Sequence, residues 1–209
     1  MKNKPRFFLL LLGAASFCFL AYLVMLKQVN GLDPIVSNFI RGFQSPELTA
    51  VMKAITYSAN WQTITLLCLV FLILPKTRVA IGYVLALSSI LTTSLNNLLK
   101  LLFHRVRPDN LLSLIAQGSY SFPSGHAMSG LVFYGLVIFL FILPLKNRPA
   151  KYCLTGLLSL LIFFIGVSRV YLGVHYPTDV LAGWSIGLCL LILFEYAADR
   201  FPRKHIRNE

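Results

Sequence analysis

The feature that most constrains this chain is a series of long stretches that carry almost no charge. A helix that crosses a bilayer needs about 20 predominantly apolar residues. Hydrophobic residues make up 57% of the chain and charged residues 12%, which leaves more apolar surface than a soluble domain can bury. The pattern predicts an all-α polytopic membrane protein, a bundle of six transmembrane helices in a single domain over residues 1–209. The predicted spans are Phe7–Leu26, Ala54–Pro75, Val79–Leu99, His126 to just before Lys146, Tyr152–Ser168 and Val180–Ala197.

The distribution of basic residues predicts the orientation of these spans. The net charge is +12, and loops that stay in the cytoplasm carry an excess of Lys and Arg. With the N-terminus inside, the cytoplasmic segments hold most of the 19 basic residues, so both termini are predicted to be cytoplasmic. The outer segments then hold Lys27, Arg41, Lys53, Lys100, Arg105, Arg107 and Arg169. A nucleic-acid partner is not expected, because no soluble domain carries a basic stripe.

The outer segment from Lys27 to Lys53 is long and partly apolar. Ile35, Phe39 and Phe43, together with Ile40, recur at roughly helical spacing. This spacing predicts a helix that lies at the membrane surface.

Three polar clusters lie at the outer ends of the predicted spans. Ionisable residues this close to the hydrocarbon are costly, so a functional role is the first hypothesis. The clusters are Lys100 with Arg107-Pro108, then Pro123-Ser124-Gly125-His126, and then Ser168-Arg169, Gly173, His175 and Asp179.

The cations of these clusters predict an anion site. Seven residues of helix turn through about 700°, so Lys100 and Arg107 share a face if the helix continues to Pro108. Two cations on one face make sense together if an anion lies between them, and Arg169 could complete a three-cation clamp. A planar guanidinium suits phosphate because it donates two parallel hydrogen bonds.

The histidines predict proton and phosphoryl chemistry. His175 and Asp179 are four residues apart, and Pro177 suits the first position of a helix, which places Asp179 in the first turn. A carboxylate on one ring nitrogen sets the tautomer and leaves the other nitrogen free to attack. His126 follows Ser124 and Gly125 at a predicted helix start, where free N–H groups can bind phosphate. His126 could supply a proton.

The three clusters together resemble the motifs of the type 2 phosphatidic acid phosphatase superfamily, and in particular its small bacterial branch. The matching residues are Lys100, then six residues and Arg107-Pro108; Pro123-Ser124-Gly125-His126; and Ser168-Arg169, then five residues, His175, three residues and Asp179. The resemblance covers nearly the whole chain, and its motif region spans residues 100–179. All three motifs, in order and at these spacings, are highly specific.

The resemblance implies a membrane lipid phosphatase that works through a phosphohistidine, without a metal ion or other cofactor. It implies that His175 is the nucleophile, that Asp179 orients it, and that His126 protonates the leaving oxygen and then activates water. The implied phosphate-binding residues are Lys100, Arg107, Arg169, Ser124 and the Gly125 amide.

The expected partners are the bilayer of a cell membrane and a lipid phosphate that reaches an extracytoplasmic site with its tails still in the membrane. The substrate candidates are undecaprenyl diphosphate, phosphatidylglycerophosphate, phosphatidate and diacylglycerol diphosphate. The outward site favours the undecaprenyl carrier. Two alternatives stay open at this point: a lipid phosphotransferase that uses the same intermediate, and a non-enzymatic protein that binds or transports lipid phosphates.

Three polar residues lie beside the first motif but outside it. Arg105 and His104 are interpreted as contacts to lipid headgroups. Asn96 is expected to make a hydrogen bond between helices, and it lies one turn below Lys100, which it could orient.

Overall fold

The computed structural model describes residues 4–29, 31–108, 113–116 and 118–200, and its regular elements are all helical. A π-helical turn precedes α6 (Arg78–Gly82) and another follows α7 (Ile138–Ile142). The helices are α1 (Lys4–Met25), α2 (Leu32–Arg41), α3 (Pro46–Tyr57), α4 (Trp61–Ile73), the short α5 (Pro75–Thr77), α6 (Tyr83–Phe103), α7 (Gly125–Val137), α8 (Arg148–Tyr171) and α9 (Pro177–Arg200).

The long helices match the predicted spans. In the part of the chain that the structure describes, α1, α6, α7 with its π-helical turn, α8 and α9 are each long and apolar enough to cross a bilayer. The pair α3–α4 supplies a sixth span when its two helices are taken together. The prediction of an all-α, six-span bundle is confirmed.

The second span differs from its prediction, which was a single helix in the charge-free stretch Ala54–Pro75. Instead α3 and α4 meet at an angle of 47°. The helix α3 begins earlier because Ser45 caps it, accepting a hydrogen bond from the Leu48 amide, and Pro46 occupies its first position.

The break between α3 and α4 is stabilised from outside the two helices. The carbonyl oxygen of Ser58 accepts a hydrogen bond of 2.8 Å from the hydroxyl of Tyr134 in α7. Non-helical backbone at membrane depth is tolerated when such protein partners satisfy it. A contact between residues far apart in the sequence thus adds to the local contacts at the break, where the Ser58 hydroxyl donates to the Ile55 carbonyl oxygen.

The helix α7 lies at the centre of the bundle, where it packs against α6, α8 and α9. The helix α9 approaches the start of α7 closely, since a Cβ atom at Gly183 would lie 2.6 Å from the carbonyl oxygen of Ser124. Only glycine permits this approach. The Ser124 amide also donates to the carbonyl oxygen of Asp179, at 2.9 Å. The second and third motifs are thus held together by backbone contacts.

The helix predicted in the long outer segment is present as α2. Ile35, Phe39 and Phe43 are exposed along it and beyond its end, whereas Asp33 in its first turn is buried. Ile40 packs inward against a cluster that includes Tyr171. The helix therefore has one apolar face that no described residue covers and one face anchored on the bundle.

The two ends of the bundle differ in chemistry. At one end, Arg6 of α1 pairs with Glu195 and Asp199 of α9, at 3.1 and 2.6 Å. At the other end lie the last turns of α6 and α8 and the first turns of α7 and α9, which carry the three motifs. The described chain termini and the motif cluster therefore lie at opposite ends. The basic tail residues Arg203, Lys204 and Arg207, like Lys2, lie outside the described residues.

Candidate active site

The first motif is positioned by a helix end and an extended segment, not by one continuous helix. The helix α6 stops at Phe103, because His104 adopts a left-handed conformation with φ 47° and its amide donates to the Lys100 carbonyl oxygen. The prediction that the helix continues to Pro108 is therefore wrong. Lys100 and Arg107 nevertheless meet, because the segment after His104 turns back toward the site, where the Arg105 carbonyl oxygen accepts from the Ser121 amide at 2.8 Å.

Neutral acceptors hold the three cations of the clamp. Lys100 donates to the Ser119 hydroxyl at 3.2 Å, and the buried Arg169 donates to the Thr56 hydroxyl at 2.8 Å. The guanidinium of Arg107 donates to backbone carbonyl oxygens of Gly118, Ser119, Tyr120 and Val174. The contacts of Lys100 and Arg107 position these two cations without neutralising them, as an anion site requires.

His175 lies between Arg107 and Asp179, and its two contacts define its tautomer. Its Nε2 atom is 3.2 Å from Nη1 of Arg107, and its Nδ1 atom is 3.4 Å from Oδ2 of Asp179. Arginine only donates, so Nε2 is the acceptor and carries the lone pair. The proton is then on Nδ1 and faces the carboxylate. At 3.4 Å this is a close approach and not a hydrogen bond, since Nδ1 has no hydrogen-bond partner of good geometry among the described residues. Catalytic hydrogen bonds often form fully only when substrate binds.

The surroundings keep His175 neutral. Burial lowers its pKa well below the usual value for histidine, and the charges of Arg169, Arg107 and Lys100 lower that pKa further. Burial also lowers the pKa of Arg107, to about 10, so this guanidinium is still a cation at neutral pH. A neutral imidazole next to cations is the form that can attack an electrophile.

Asp179 is fully buried in the first turn of α9, as predicted. Its Oδ2 atom accepts from the Tyr176 amide at 2.9 Å and faces His175. Its Oδ1 atom accepts from Nη1 of Arg105 at 2.6 Å. Gly173, with φ 75°, provides the left-handed turn that leads from α8 into this segment.

The second motif begins α7 and places His126 beside α4. The Nε2 atom of His126 is 2.7 Å from Oδ1 of Asn60, and His126 lies within electrostatic range of His175 and the clamp cations. The hydroxyl of Ser124 is buried and has no hydrogen-bond partner among the described residues. Gly125 lies against Asn96, since a Cβ atom there would be 2.8 Å from Oδ1 of Asn96. An unpaired hydroxyl and free helix N–H groups suit an anion.

Two predictions for residues outside the motifs have different outcomes. Asn96 bridges helices as expected, because its Nδ2 atom donates to the Pro123 carbonyl oxygen at 3.2 Å. The interpretation of Arg105 as a headgroup contact is wrong, because its side chain turns inward to Asp33 and Asp179. The ring of His104 packs edge-on against Tyr120.

The residues that sequence reasoning missed are Asn60, Thr56 and Asp33. Each contacts a motif residue or Arg105 across at least 66 positions of the sequence. The position of Asp33 in the first turn of a surface helix gave no signal of its own, because the helix dipole favours a carboxylate there in any case.

The fold and the site together define a polytopic membrane protein with a histidine–aspartate pair and a second histidine beside three cations. The sequence profile of the PAP2 superfamily matches residues 77–202. The chain belongs to this superfamily.

Individual relatives agree with this assignment. The chain is 33% identical to a phosphatidylglycerophosphatase B of Bacillus subtilis over 199 residues, which cover 90% of this chain and 95% of the relative. It is 31% identical to an undecaprenyl-diphosphatase of Sulfolobus acidocaldarius, over 71% of this chain and 68% of that one. The crystal structure of a transmembrane PAP2-type phosphatidylglycerolphosphate phosphatase from Bacillus subtilis superposes with a TM-score of 0.84, at 29% identity, and covers 93% of this chain and 98% of its own.

Proposed function

We propose that this membrane lipid phosphatase hydrolyses a lipid phosphomonoester or diphosphate through a phosphohistidine on His175. The observation that carries the proposal is the placement of the His175 lone pair. Its Nε2 atom faces Arg107 of the clamp, while Asp179 holds the opposite nitrogen. A nucleophile and an anion clamp thus face the same point.

The first step transfers the phosphoryl group to the enzyme. Nε2 of His175 attacks phosphorus, an N–P bond forms, and the bond from phosphorus to the leaving lipid oxygen breaks. Lys100, Arg107 and Arg169 bind the phosphoryl oxygens and stabilise the charge of the transition state. The Ser124 hydroxyl and the Gly125 amide add hydrogen bonds at the start of α7.

His126 manages the proton in both steps. It gives a proton to the leaving oxygen, and it then takes a proton from the water that attacks phosphorus. That attack breaks the N–P bond, releases inorganic phosphate and regenerates His175. The contact of Nε2 with the Asn60 amide oxygen orients the ring and leaves Nδ1 for proton exchange.

A cavity beside His126 supports lateral access of a lipid. It has a volume of about 420 Å³, lies between α4, α6 and α7, and is lined by His126 and Asn96. It runs from the site past hydroxyl groups of both α6 and α7 toward apolar residues of the bundle. The remaining polar lining comes from Thr65, Ser89, Thr92, Thr93, Ser94 and Ser129. A lipid whose leaving oxygen reaches His126 can keep its tails in the membrane.

The same site argues for hydrolysis without a metal ion. Three fixed cations surround the phosphoryl position and would repel a further cation, while they supply the charge stabilisation that metals give other phosphatases. We expect phosphate release to be unchanged by an excess of chelator, and a loss that added Mg²⁺ restores would contradict this.

The test of the mechanism is phosphate release by the purified protein in detergent, with chelator present. The panel holds phosphatidylglycerophosphate, undecaprenyl diphosphate, phosphatidate, diacylglycerol diphosphate and one soluble phosphomonoester. We expect turnover of the first two lipids, since relatives with both names align with this chain. His175→Ala should abolish turnover, whereas His104→Asn, which tolerates the left-handed backbone, should retain it. Full activity in His175→Ala would refute the mechanism, and a labelled lipid product in place of free phosphate would indicate a transferase.

We also propose that the site faces the extracytoplasmic side and that both termini are cytoplasmic. The excess of basic residues at the end that carries the termini supports this orientation. The test uses a variant without Cys18, Cys68, Cys153 and Cys189. A single cysteine at residues 144–147, just before α8, should then be protected from an impermeant thiol reagent in intact cells, and one near residue 115 should react. The reverse pattern would turn the site to the cytoplasm.

A further inference from the structure

Arg105 is a cation of this site that the phosphate clamp does not use. Its Nη1 atom donates to Oδ1 of Asp179 and its Nη2 atom donates to Oδ2 of Asp33, each at 2.6 Å. Its guanidinium also lies 4.2 Å from the centre of the Tyr176 ring. The side chain is 12% exposed. Arg105 is therefore committed to two carboxylates, unlike Lys100 and Arg107, whose hydrogen bonds go to neutral oxygens and to His175.

Asp33 connects this pair to the surface helix α2. It is 1% exposed, and it accepts from the Thr178 amide at 3.1 Å and from the Thr178 hydroxyl at 2.8 Å. Thr178 directly precedes Asp179 in the first turn of α9, and its hydroxyl also accepts from Arg105 at 2.8 Å. Asp33 and Thr178 thus hold Arg105, which contacts the Asp179 carboxylate at the oxygen that does not face His175.

The two carboxylate oxygens of Asp179 have different partners. Oδ1 is held by Arg105, and Oδ2 is left for the Tyr176 amide and for Nδ1 of His175. Holding one oxygen prevents the carboxylate from rotating, so the other stays directed at the imidazole. A planar guanidinium can donate to two carboxylates at once from separate nitrogens, which an ammonium cannot do with the same geometry.

Arg105 and the clamp lie on opposite sides of the His175 ring. Arg107 contacts Nε2, where phosphorus is attacked, whereas Arg105 reaches the ring only through Asp179 on the Nδ1 side. A phosphoryl group at Nε2 is therefore met by the clamp and not by Arg105. This geometry separates a positioning residue from a substrate-binding one.

We propose that Arg105 and Asp33 are positioning residues of the phosphoryl transfer, which hold Asp179 so that His175 presents its lone pair to the substrate. The inference rests on the proposed function. It assigns a role to α2, whose buried Asp33 connects the catalytic pair to a helix with an exposed apolar face.

The test compares Arg105→Gln, Arg105→Lys and Asp33→Asn with the wild-type protein and with Lys27→Gln. Lys27 is an exposed cation on the same outer end and serves as the matched control for charge. The full-length proteins are purified in detergent, and kcat, KM and the pH profile are measured with phosphatidylglycerophosphate. Thermal unfolding is measured in the same detergent.

We expect Arg105→Gln to lower kcat by about 100-fold or more and to change KM by less than about threefold, because the clamp is intact. Arg105→Lys should recover part of kcat, since an ammonium can reach one carboxylate at a time. Asp33→Asn should lose about tenfold, because the contact from Arg105 to Asp179 remains. Lys27→Gln should stay within about twofold of the wild type.

The pH profile distinguishes positioning from a merely structural role. The charged and titratable groups around His175 are Asp179, Lys100, Arg107, Arg169 and His126. Without Arg105, the charge of Asp179 acts more fully on His175 and favours its protonated form, so the acidic limb should move to higher pH. A structural role would reduce the active fraction and leave the shape of the profile unchanged.

Several outcomes would overturn the inference. A large rise in KM at constant kcat would make Arg105 a substrate contact. Wild-type kinetics in Arg105→Gln, or an unshifted pH profile together with a lowered melting temperature, would remove the positioning role. If the wild-type protein itself hydrolysed none of the lipids, the proposed function would fail first and the inference with it.

Discussion

Asp179→Asn is the substitution for which the contacts of the site predict the largest effect from the smallest change. It replaces one carboxylate oxygen by an NH₂ group of nearly the same size. The polar groups that meet Asp179 are Nη1 of Arg105 at 2.6 Å, the Tyr176 amide at 2.9 Å, Nδ1 of His175 at 3.4 Å and the Ser121 hydroxyl, and the first three are donors. An amide can accept on only one side, so either orientation leaves an N–H group facing a donor.

The choice between the two orientations sets the magnitude. Arginine cannot accept a hydrogen bond, so the amide oxygen should turn to Arg105 and direct NH₂ toward His175. Nδ1 must then accept, the proton moves to Nε2, and the attacking lone pair is lost. The corresponding change in a serine–histidine–aspartate triad lowers kcat by about 10⁴-fold, which is about 5.5 kcal/mol in the activation barrier. We expect a loss of about 10³- to 10⁴-fold here, with KM nearly unchanged.

The assay is steady-state phosphate release from a lipid phosphate, combined with rapid-quench detection of the phosphoenzyme, whose formation should slow in parallel. Asp199→Asn is the matched control, because Asp199 is a carboxylate of the same helix that pairs with Arg6 at the opposite end of the bundle. It should remain within about twofold of the wild type. If Asp179→Asn retained more than about a tenth of the wild-type kcat, the tautomer argument would be refuted.

Three further predictions concern other parts of the site. Asn60→Ala should lower kcat by about 10- to 100-fold at an unchanged KM, because His126 loses the contact that orients its ring, while Asn147→Ala at the start of α8 should change neither constant. Gly125→Ala should lower the free energy of unfolding by about 1–3 kcal/mol in thermal unfolding, because its Cβ atom would lie 2.8 Å from Oδ1 of Asn96. Gly156→Ala is the control and should leave stability unchanged, because no atom lies within 4 Å of a Cβ atom there. Equal melting temperatures for the two variants would contradict the prediction. Burial and the clamp cations lower the pKa of His175, so kcat/KM should stay constant as pH falls through 6.5 and decline only well below that pH. A decline centred at an ordinary histidine pKa would show that the site does not keep the nucleophile neutral.

The parts of the fold that could be predicted from the sequence are those set by local physics. Charge-free length is a sufficient signal for a span, because an unpaired charge in hydrocarbon is costly wherever it lies. Pro177 and the spacing from His175 to Asp179 likewise predicted the first turn of α9, since both act within one helical turn. One error was at the α3–α4 break, where a distant contact adds to local ones: the Tyr134 hydroxyl donates to the Ser58 carbonyl oxygen, 76 residues away. Another was at the end of α6, where His104 adopts a left-handed conformation.

Arg105 and Arg107 show the same limit within the site. They are two residues apart, of the same type, and follow the same helix end, so no local property separates them. What separates them is the set of partners. Arg105 contacts Asp33 and Asp179, which are 72 and 74 residues away in the sequence. Arg107 instead contacts backbone oxygens and His175. The motif spacing identified Arg107, but only the tertiary structure shows that Arg105 serves the opposite side of the imidazole.

The partners of the cations also explain how one small site can hold so much positive charge. Two arginines outside the clamp are each paired with two carboxylates. Arg6, at the opposite end of the bundle, joins α1 to α9, and Arg105 joins the segment after α6 to α2 and α9. Lys100 and Arg107 donate instead to hydroxyl and carbonyl oxygens, which orient a cation through a dipole and leave its charge in place. Under the proposed function, mutual repulsion in the clamp should lower the stability of the unliganded protein, and a bound phosphate dianion should relieve it. A carboxylate placed beside the clamp should therefore stabilise the fold and weaken substrate binding together, because it would occupy the charge that the substrate needs. The exposed Ser119 contacts both Lys100, through its hydroxyl at 3.2 Å, and Arg107, through its carbonyl oxygen. The variant Ser119→Asp tests this coupling: a higher melting temperature with a higher KM is expected, and a gain in stability without a change in KM would show that the clamp is not the origin of the repulsion.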